Sequence, residues 1–244
     1  MPRSQFVLPI TPPLVLAHRG ARTVAPENTL EAFSTALDQG AAGVELDVHR
    51  TADEGLVVHH DAEAPGLGVL AERTLLEIRE ARPDIPTLVE VLELCVGALV
   101  NVEIKNMLND ADYDATDRVA ELVVELLAGR DRRDDVLVSS FNLATVDRVR
   151  ALEPSIPTGF LSMLDPFEGI DLCAARGHGS LHPFFALLGP DTALPIVTRA
   201  REVDVAINVW TVNDEHEMVR LAAAGVAAII TDVPDVARRV LATV

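Results

Sequence analysis

Short runs of Val, Ile and Leu alternate along this chain with longer segments in which apolar residues recur every three or four positions. The first pattern is that of buried strands, the second that of amphipathic helices. Residues 14–18 read as a strand and 29–39 as a helix, with Asn28 as its N-cap and Gly40 as its stop. Strands are predicted at 43–48 and 56–60, then helices at 74–81 and 87–96. A strand at 99–105 leads to a long amphipathic helix over 112–128. Strand 136–141, helix 143–152 and strand 158–162 continue the alternation. The Gly- and Pro-rich stretch 165–190 reads mostly as loop, with a short strand at 180–182. Helix 192–202, strand 205–211, helix 214–224, strand 227–231 and a helix from Pro234 close the chain.

Strands separated by helices imply parallel pairing through helical crossovers. Nine strands are one too many for an eight-stranded barrel. Only the polar residues 51–55 separate the second and third, so those two form an antiparallel hairpin. Setting that excursion aside leaves eight strand–helix units. The expected fold is α/β, a (β/α)8 TIM barrel with a β-hairpin extension after strand 2, in one domain spanning residues 1–244.

The hairpin concentrates chemistry. With Thr51 opposite Leu56, Asp47 stands opposite His60, and Glu45 shares its face two residues earlier. In the next barrel strand Asn101, Glu103 and Lys105 share a face, and the first strand ends in His18, Arg19 and Gly20. Barrel active sites are built at these strand ends. Composition sharpens the picture at one point: Lys105 is the only lysine among 20 basic residues. Glu45, Asp47 and Glu103 offer hard oxygen ligands for one divalent cation, Mg²⁺ or Ca²⁺, with no Cys or His cluster that would favour zinc. Arg19 and Lys105 suit a phosphate. His18 and His60 on opposite sides of phosphorus can serve as base and acid in an in-line displacement. Together these residues predict cleavage of a small-molecule phosphodiester.

The segment LAHRGARTVAPENTLEAFSTALDQGAAGVELDVHRTADEGLVVHHD, followed in order by NVEIK, SSF, NVWTVND and IITDVPD, resembles the glycerophosphodiester phosphodiesterase family. The resemblance implies a TIM barrel that releases sn-glycerol 3-phosphate and an alcohol. It implies His18 and His60 as the acid/base pair, Glu45, Asp47 and Glu103 as metal ligands, Arg19 and Lys105 at the phosphate and Trp210 beside the glycerol. The chain departs from the pattern by carrying Glu54 where the hairpin turn usually has glycine. It also lacks the small subdomain often inserted after the second histidine, so the roof over the leaving group is reduced.

Net charge limits the partners. Thirty-eight acidic against 20 basic residues give −18, which disfavours nucleic acid and anionic lipid surfaces. No apolar stretch is long enough for stable membrane insertion, and Pro9, Pro12 and Pro13 interrupt any leader-like run. Cys95 and Cys173 read as buried free thiols, and a cytoplasmic location is expected. Structural roles are expected for His49 and His59, solvent exposure for His216, and capping for Glu27 and Asn28; His178 and His182 fall in the loop-rich region near the sixth strand, with His182 a lesser candidate for lining the pocket. Asp53, Glu54 and Asp61 read as loop charges, and Asp232 as a strand-to-helix junction. Two alternatives stay open on the same site, a lysophospholipase D or sphingomyelinase D-like activity. An aldolase using Lys105 as a Schiff-base nucleophile is disfavoured by the carboxylates beside it. A catalytically inactive binding barrel is a further alternative.

Overall fold

A computed structural model describes residues 12–129 and 135–242 of the chain; the leader-like stretch up to Thr11, with Pro9, lies outside them. Eight strands close a parallel barrel: β1 (Leu14–His18), β2 (Gly43–Arg50), β6 (Leu99–Ile104), β7 (Val136–Ser140), β8 (Thr158–Ser162), β9 (Ser180–Pro183), β10 (Ala206–Val209) and β11 (Ala228–Thr231). The ring closes where β1 pairs with both β2 and β11. Outside it stand β3 (Leu56–Val58) and the miniature hairpin β4 (Glu63–Ala64) and β5 (Gly68–Val69). The helices are α1 (Leu30–Asp38), α2 (Leu75–Ala81), α3 (Leu88–Leu94), α4 (Arg118–Ala128), α5 (Leu143–Leu152), α6 (Pro166–Arg176), α7 (Ala193–Glu202), α8 (Glu215–Ala224) and α9 (Pro234–Leu241). The expected barrel with its hairpin extension is therefore the fold.

The strands are buried along nearly their whole length because each has helices outside and the barrel interior inside. Two apolar layers between barrel and helices carry most of the core, one around Val44, Val102 and Val123, the other around Ile170, Leu181 and Ile229. Low down, the interior is apolar, where Leu16, Leu99, Leu137, Ala228 and Ile230 pack together. Higher up, along β2, β6 and β7, it turns polar, with Glu45, Asp47, Asn101, Glu103 and Ser139 all buried. That reversal of the ordinary core composition marks the working end of the barrel.

Several local expectations are corrected. The hairpin is one residue tighter than predicted: Val48 pairs with Val58 and Arg50 with Leu56. Glu54 takes a left-handed φ of 64°, so the Thr51 amide reaches the Gly55 carbonyl at 2.8 Å and the loop shortens. Asp47 is thus opposite His59, whose amide donates to the Asp47 carbonyl. α1 begins one residue later than predicted, capped by the Thr29 hydroxyl rather than by Asn28. α4 begins at Arg118, because residues 106–117 are tied up in side-chain turns around Asn106, Asp110 and Asp114. The stretch read as mostly loop holds α6, which the Asp165 carboxylate caps, with Pro166 in its first turn.

One contact is demanded by the barrel's closure. A Cβ on Gly43 would lie 2.1 Å from the backbone oxygen of Leu99 on the neighbouring strand. Gly43→Ala should therefore force β2 and β6 apart and cost about 3 kcal/mol. Urea unfolding followed by far-ultraviolet circular dichroism checks this, as a clear fall in midpoint against wild type.

Candidate active site

The site begins with the path of the chain beyond β1. Arg19 and Gly20 both take left-handed backbone angles, and a Cβ at Gly20 would lie 2.6 Å from the Ala32 backbone. This sharp bend lets the Arg19 amide reach the Glu45 carbonyl at 2.9 Å and a Glu45 carboxylate oxygen at 3.2 Å. It also presents His18 and Arg19 together at the barrel mouth. Arg19 Nε lies 3.3 Å from Asp47, and Nη1 donates to Glu27 at 3.0 Å.

β2 and β6 run in register, with Glu45 beside Asn101 and Asp47 beside Glu103. Their side chains bring Glu45, Asp47 and Glu103 so close that one ligand atom from each lies within 4.8 Å of the others. All three are buried. Lys105 Nζ bridges two of them, 2.9 Å from Glu103 and 3.3 Å from Asp47. Three carboxylates thus face two cations. Burial, then Asp47 and Glu103, pushes the Glu45 carboxyl well above its ordinary pKa. Burial also raises Glu103 against the opposing effect of Lys105. At Asp47 burial is outweighed by Lys105 and Arg19, aided by His60 and an Asn28 hydrogen bond, and the pKa falls. A divalent cation fits this donor set, because it would supply the positive charge that Arg19 and Lys105 leave wanting.

Lys105 itself is driven up: burial opposes its charge, but Glu103, Asp47 and Glu45 overcome that. A Schiff-base nucleophile needs the opposite, a depressed amine, which sets the aldolase reading aside.

The two histidines have matching supports. His18 Nδ1 donates to Asp232 at 2.6 Å, and Asn213 Nδ2 donates to the other Asp232 oxygen at 2.7 Å. His60 Nδ1 donates to Asp61 at 2.6 Å. With each Nδ1 engaged, Nε2 is the nitrogen of each ring left available for proton transfer. Burial lowers the His60 pKa, with Asp47 opposing and Lys105 and Arg19 reinforcing. His60 reaches the site despite the register correction because β3 ends at Val58 and the chain turns there.

His18, Arg19, Glu45, His60, Glu103 and Lys105 all line one cavity of about 260 Å³. Its far wall is apolar: Phe141, Leu161, Trp210 and Ile230. Trp210 is fixed by its Nε1 donating to the His182 carbonyl at 2.7 Å and by edge contact with Phe141, ring centroids 5.3 Å apart.

Three of the remaining histidines take structural places. His49 is buried, with Nδ1 2.6 Å from Asp112 and Nε2 3.2 Å from the His60 carbonyl. His182 is buried under the pocket, bonded to Ser180 and Asn208, and burial pushes its pKa down to about 3. His178 is buried between Thr158 and Asp147, and His216 is exposed. Sequence reasoning missed Asn28, Asp61 and Asp232. Asn28 does not cap α1; its Nδ2 donates to Asp47 at 2.8 Å. Asp61 directly follows His60, a signal that was available. Asp232 is 214 positions from His18, and only the closure of the barrel brings them together.

Comparison with known proteins follows the same line. The profile of the glycerophosphoryl diester phosphodiesterase family matches residues 18–236. The chain belongs to this family. Membership makes it a phosphoric diester hydrolase. A curated glycerophosphodiester phosphodiesterase from Caldanaerobacter subterraneus subsp. tengcongensis is 34% identical over 239 residues, covering 91% of this chain and 95% of that protein. The crystal structure of a family member from Thermotoga maritima superposes with a TM-score of 0.78 at 29% identity, covering 93% and 97% of the two chains. An Oleispira antarctica phosphodiesterase in complex with sn-glycerol 3-phosphate superposes with a TM-score of 0.82 at 26% identity, covering 94% and 97%.

If Asp232 orients His18, Asp232→Asn should lower kcat about 10²-fold while KM changes by no more than about twofold, since orientation and tautomer are lost but binding groups remain. Steady-state kinetics on a glycerophosphodiester, with circular dichroism to confirm folding, check this.

Proposed function

We propose that this enzyme hydrolyses glycerophosphodiesters to sn-glycerol 3-phosphate and an alcohol. The observation that carries the reading is the convergence of His18, His60, Arg19 and Lys105 on one cavity beside the Glu45, Asp47 and Glu103 cluster. The product complex of the Oleispira relative supports the choice of glycerol phosphate. In this reading the whole chain, residues 1–244, is one catalytic domain.

Arg19 and Lys105 receive the phosphate, and Trp210 packs against the glycerol carbons across the cavity. A divalent cation bound by Glu45, Asp47 and Glu103, Mg²⁺ or Ca²⁺ by the hardness of three carboxylates, would polarise a phosphoryl oxygen. One histidine takes the proton of the glycerol 2-hydroxyl as its oxygen attacks phosphorus. The bond from phosphorus to the departing alcohol breaks, and the other histidine protonates that oxygen. The resulting cyclic 1,2-phosphate is opened by water with the two histidines exchanging roles.

A second reading has one observation in its favour. The loops that follow β6 and β8, at the strand ends that carry the site, expose Met107, Leu108, Met163 and Leu164, an apolar surface on which the acyl chain of a lysophospholipid could rest. Comparing a lysolipid with glycerophosphocholine separates the two. No helix among the described residues is long and apolar enough to cross a membrane. The acidic charge favours small-molecule substrates over nucleic acid. The two free, buried cysteines fit a cytoplasmic setting.

Chelation is the direct test. EDTA should abolish release of glycerol 3-phosphate from glycerophosphocholine, and Mg²⁺ or Ca²⁺ added back should restore it. His60→Ala should lower kcat by about 10²–10⁴. Activity indifferent to EDTA would remove the metal from the account.

A further inference from the structure

His49 is buried on β2 and does not line the catalytic cavity, yet it touches a residue that does. Its two ring nitrogens serve different parts of the chain. Nδ1 donates at 2.6 Å to Asp112, which lies in the loop of residues 106–117 between β6 and α4. Nε2 donates at 3.2 Å to the backbone carbonyl of His60. The Asp112 side chain is itself buried, so the pair is sealed from solvent.

We infer that His49 is a positioning residue for His60, an assignment that rests on the phosphodiesterase reading. It holds the backbone on which the catalytic imidazole stands and joins it to the loop that starts just beyond Lys105. The need for such a tie follows from how differently the two catalytic rings are supported. His18 bears on Asp232, whose side chain is 20% exposed and is held in turn by Asn213 at 2.7 Å and Arg22 at 3.6 Å. His60 bears on Asp61, its own neighbour, whose side chain is 73% exposed. A support that moves with the residue it serves can orient the ring but cannot place it. Strand pairing does not place it either. β3 ends at Val58, and its pairing with β2 is continued only as far as the His59 amide, 3.0 Å from the Asp47 carbonyl. One residue further on, the bond from His49 takes over.

The loop that carries Asp112 is fastened to the same hairpin at two more points. Arg50 lies 3.8 Å from Asp114, and Arg118, at the start of α4, forks onto Glu54 at 2.9 and 3.0 Å. Those two ties are partly exposed, and the His49 bridge is the buried one of the three. Hairpin and loop therefore move as one unit, with His60 and Lys105 at its two edges. Displacing a reacting group by about 1 Å can cost about 10²-fold in rate. Loss of one tie among several should cost about tenfold.

Two substitutions separate the two bonds of His49. An asparagine amide nitrogen stands near the place of Nδ1, and a glutamine amide nitrogen near that of Nε2. His49→Asn thus keeps the bond to Asp112 and releases His60, whereas His49→Gln keeps His60 and releases Asp112. The substrate is glycerophosphocholine or glycerophosphoglycerol, whichever wild type turns over faster. His49→Asn should lower kcat about tenfold with KM within about twofold of wild type, and His49→Gln should stay within about threefold of wild type in both. In the His60→Ala background, His49→Asn should lower the residual kcat by no more than about twofold, because the group it places is gone. Circular dichroism establishes folding of each variant. If His49→Gln, which strands a buried carboxylate, does not fold, His49→Asn in the two backgrounds decides alone. An unchanged kcat in His49→Asn, a tenfold loss repeated in the His60→Ala background, or a folded His49→Gln slower than His49→Asn overturns the positioning role while the phosphodiesterase reading stands. Turnover of neither diester by wild type overturns that reading and the role with it.

Discussion

Three carboxylates buried within reach of one another are the constraint on which this molecule turns. Glu45, Asp47 and Glu103 come from two strands locked in register, so the backbone ladder fixes their closeness and no local relaxation can separate them. Like charges in a dry site must be neutralised by protons or by cations. Lys105 and Arg19 provide two positive charges, and the raised pKa of Glu45 shows where the deficit remains. The surroundings follow from this. Arg19 is bent into place by a left-handed turn, Lys105 is held charged, and Asn28 is spent on Asp47.

The barrel mouth divides into two halves of different character. β1, β2 and β6 and the residues just beyond them carry most of the charged groups, while β8 and β11 and the residues just beyond β7 and β10 supply Leu161, Ile230, Phe141 and Trp210. A phosphodiester of glycerol has the same duality, an anionic centre beside a carbon skeleton. The histidines flank the anionic half on separate supports, His18 on a carboxylate half-buried at the far end of the chain, His60 on an exposed neighbour. Burial holds two other imidazoles, His49 and His182, on partners of their own.

Much of this was legible in the sequence. Eight strand–helix units, the hairpin after the second strand and the positions of His18, Glu45, Asp47, Glu103 and Lys105 follow from periodicity and from side-chain alternation along strands. The family pattern added the choice of His60 over His59, which pairing arithmetic alone would have reversed once the tighter turn at Glu54 is taken into account. What escaped notice depends on distance or on competition. Asp232 meets His18 only because the last strand pairs with the first. Asn28 has the composition of a cap but is drawn away by Asp47, leaving Thr29 to cap α1. The start of α4 was misplaced because Asp112 is claimed by His49 and Asp114 by turns of its own.

The central claim, that the buried acidic cluster is built for a cation, is tested most directly by calorimetric titration of Mn²⁺ into the chelator-treated protein in buffers of different ionisation enthalpy. The account predicts one ion per chain, with proton release that grows as pH is lowered and metal displaces protons from the carboxylates, and no binding in Glu103→Gln. Saturation without proton release, or binding that survives Glu103→Gln unchanged, would contradict it.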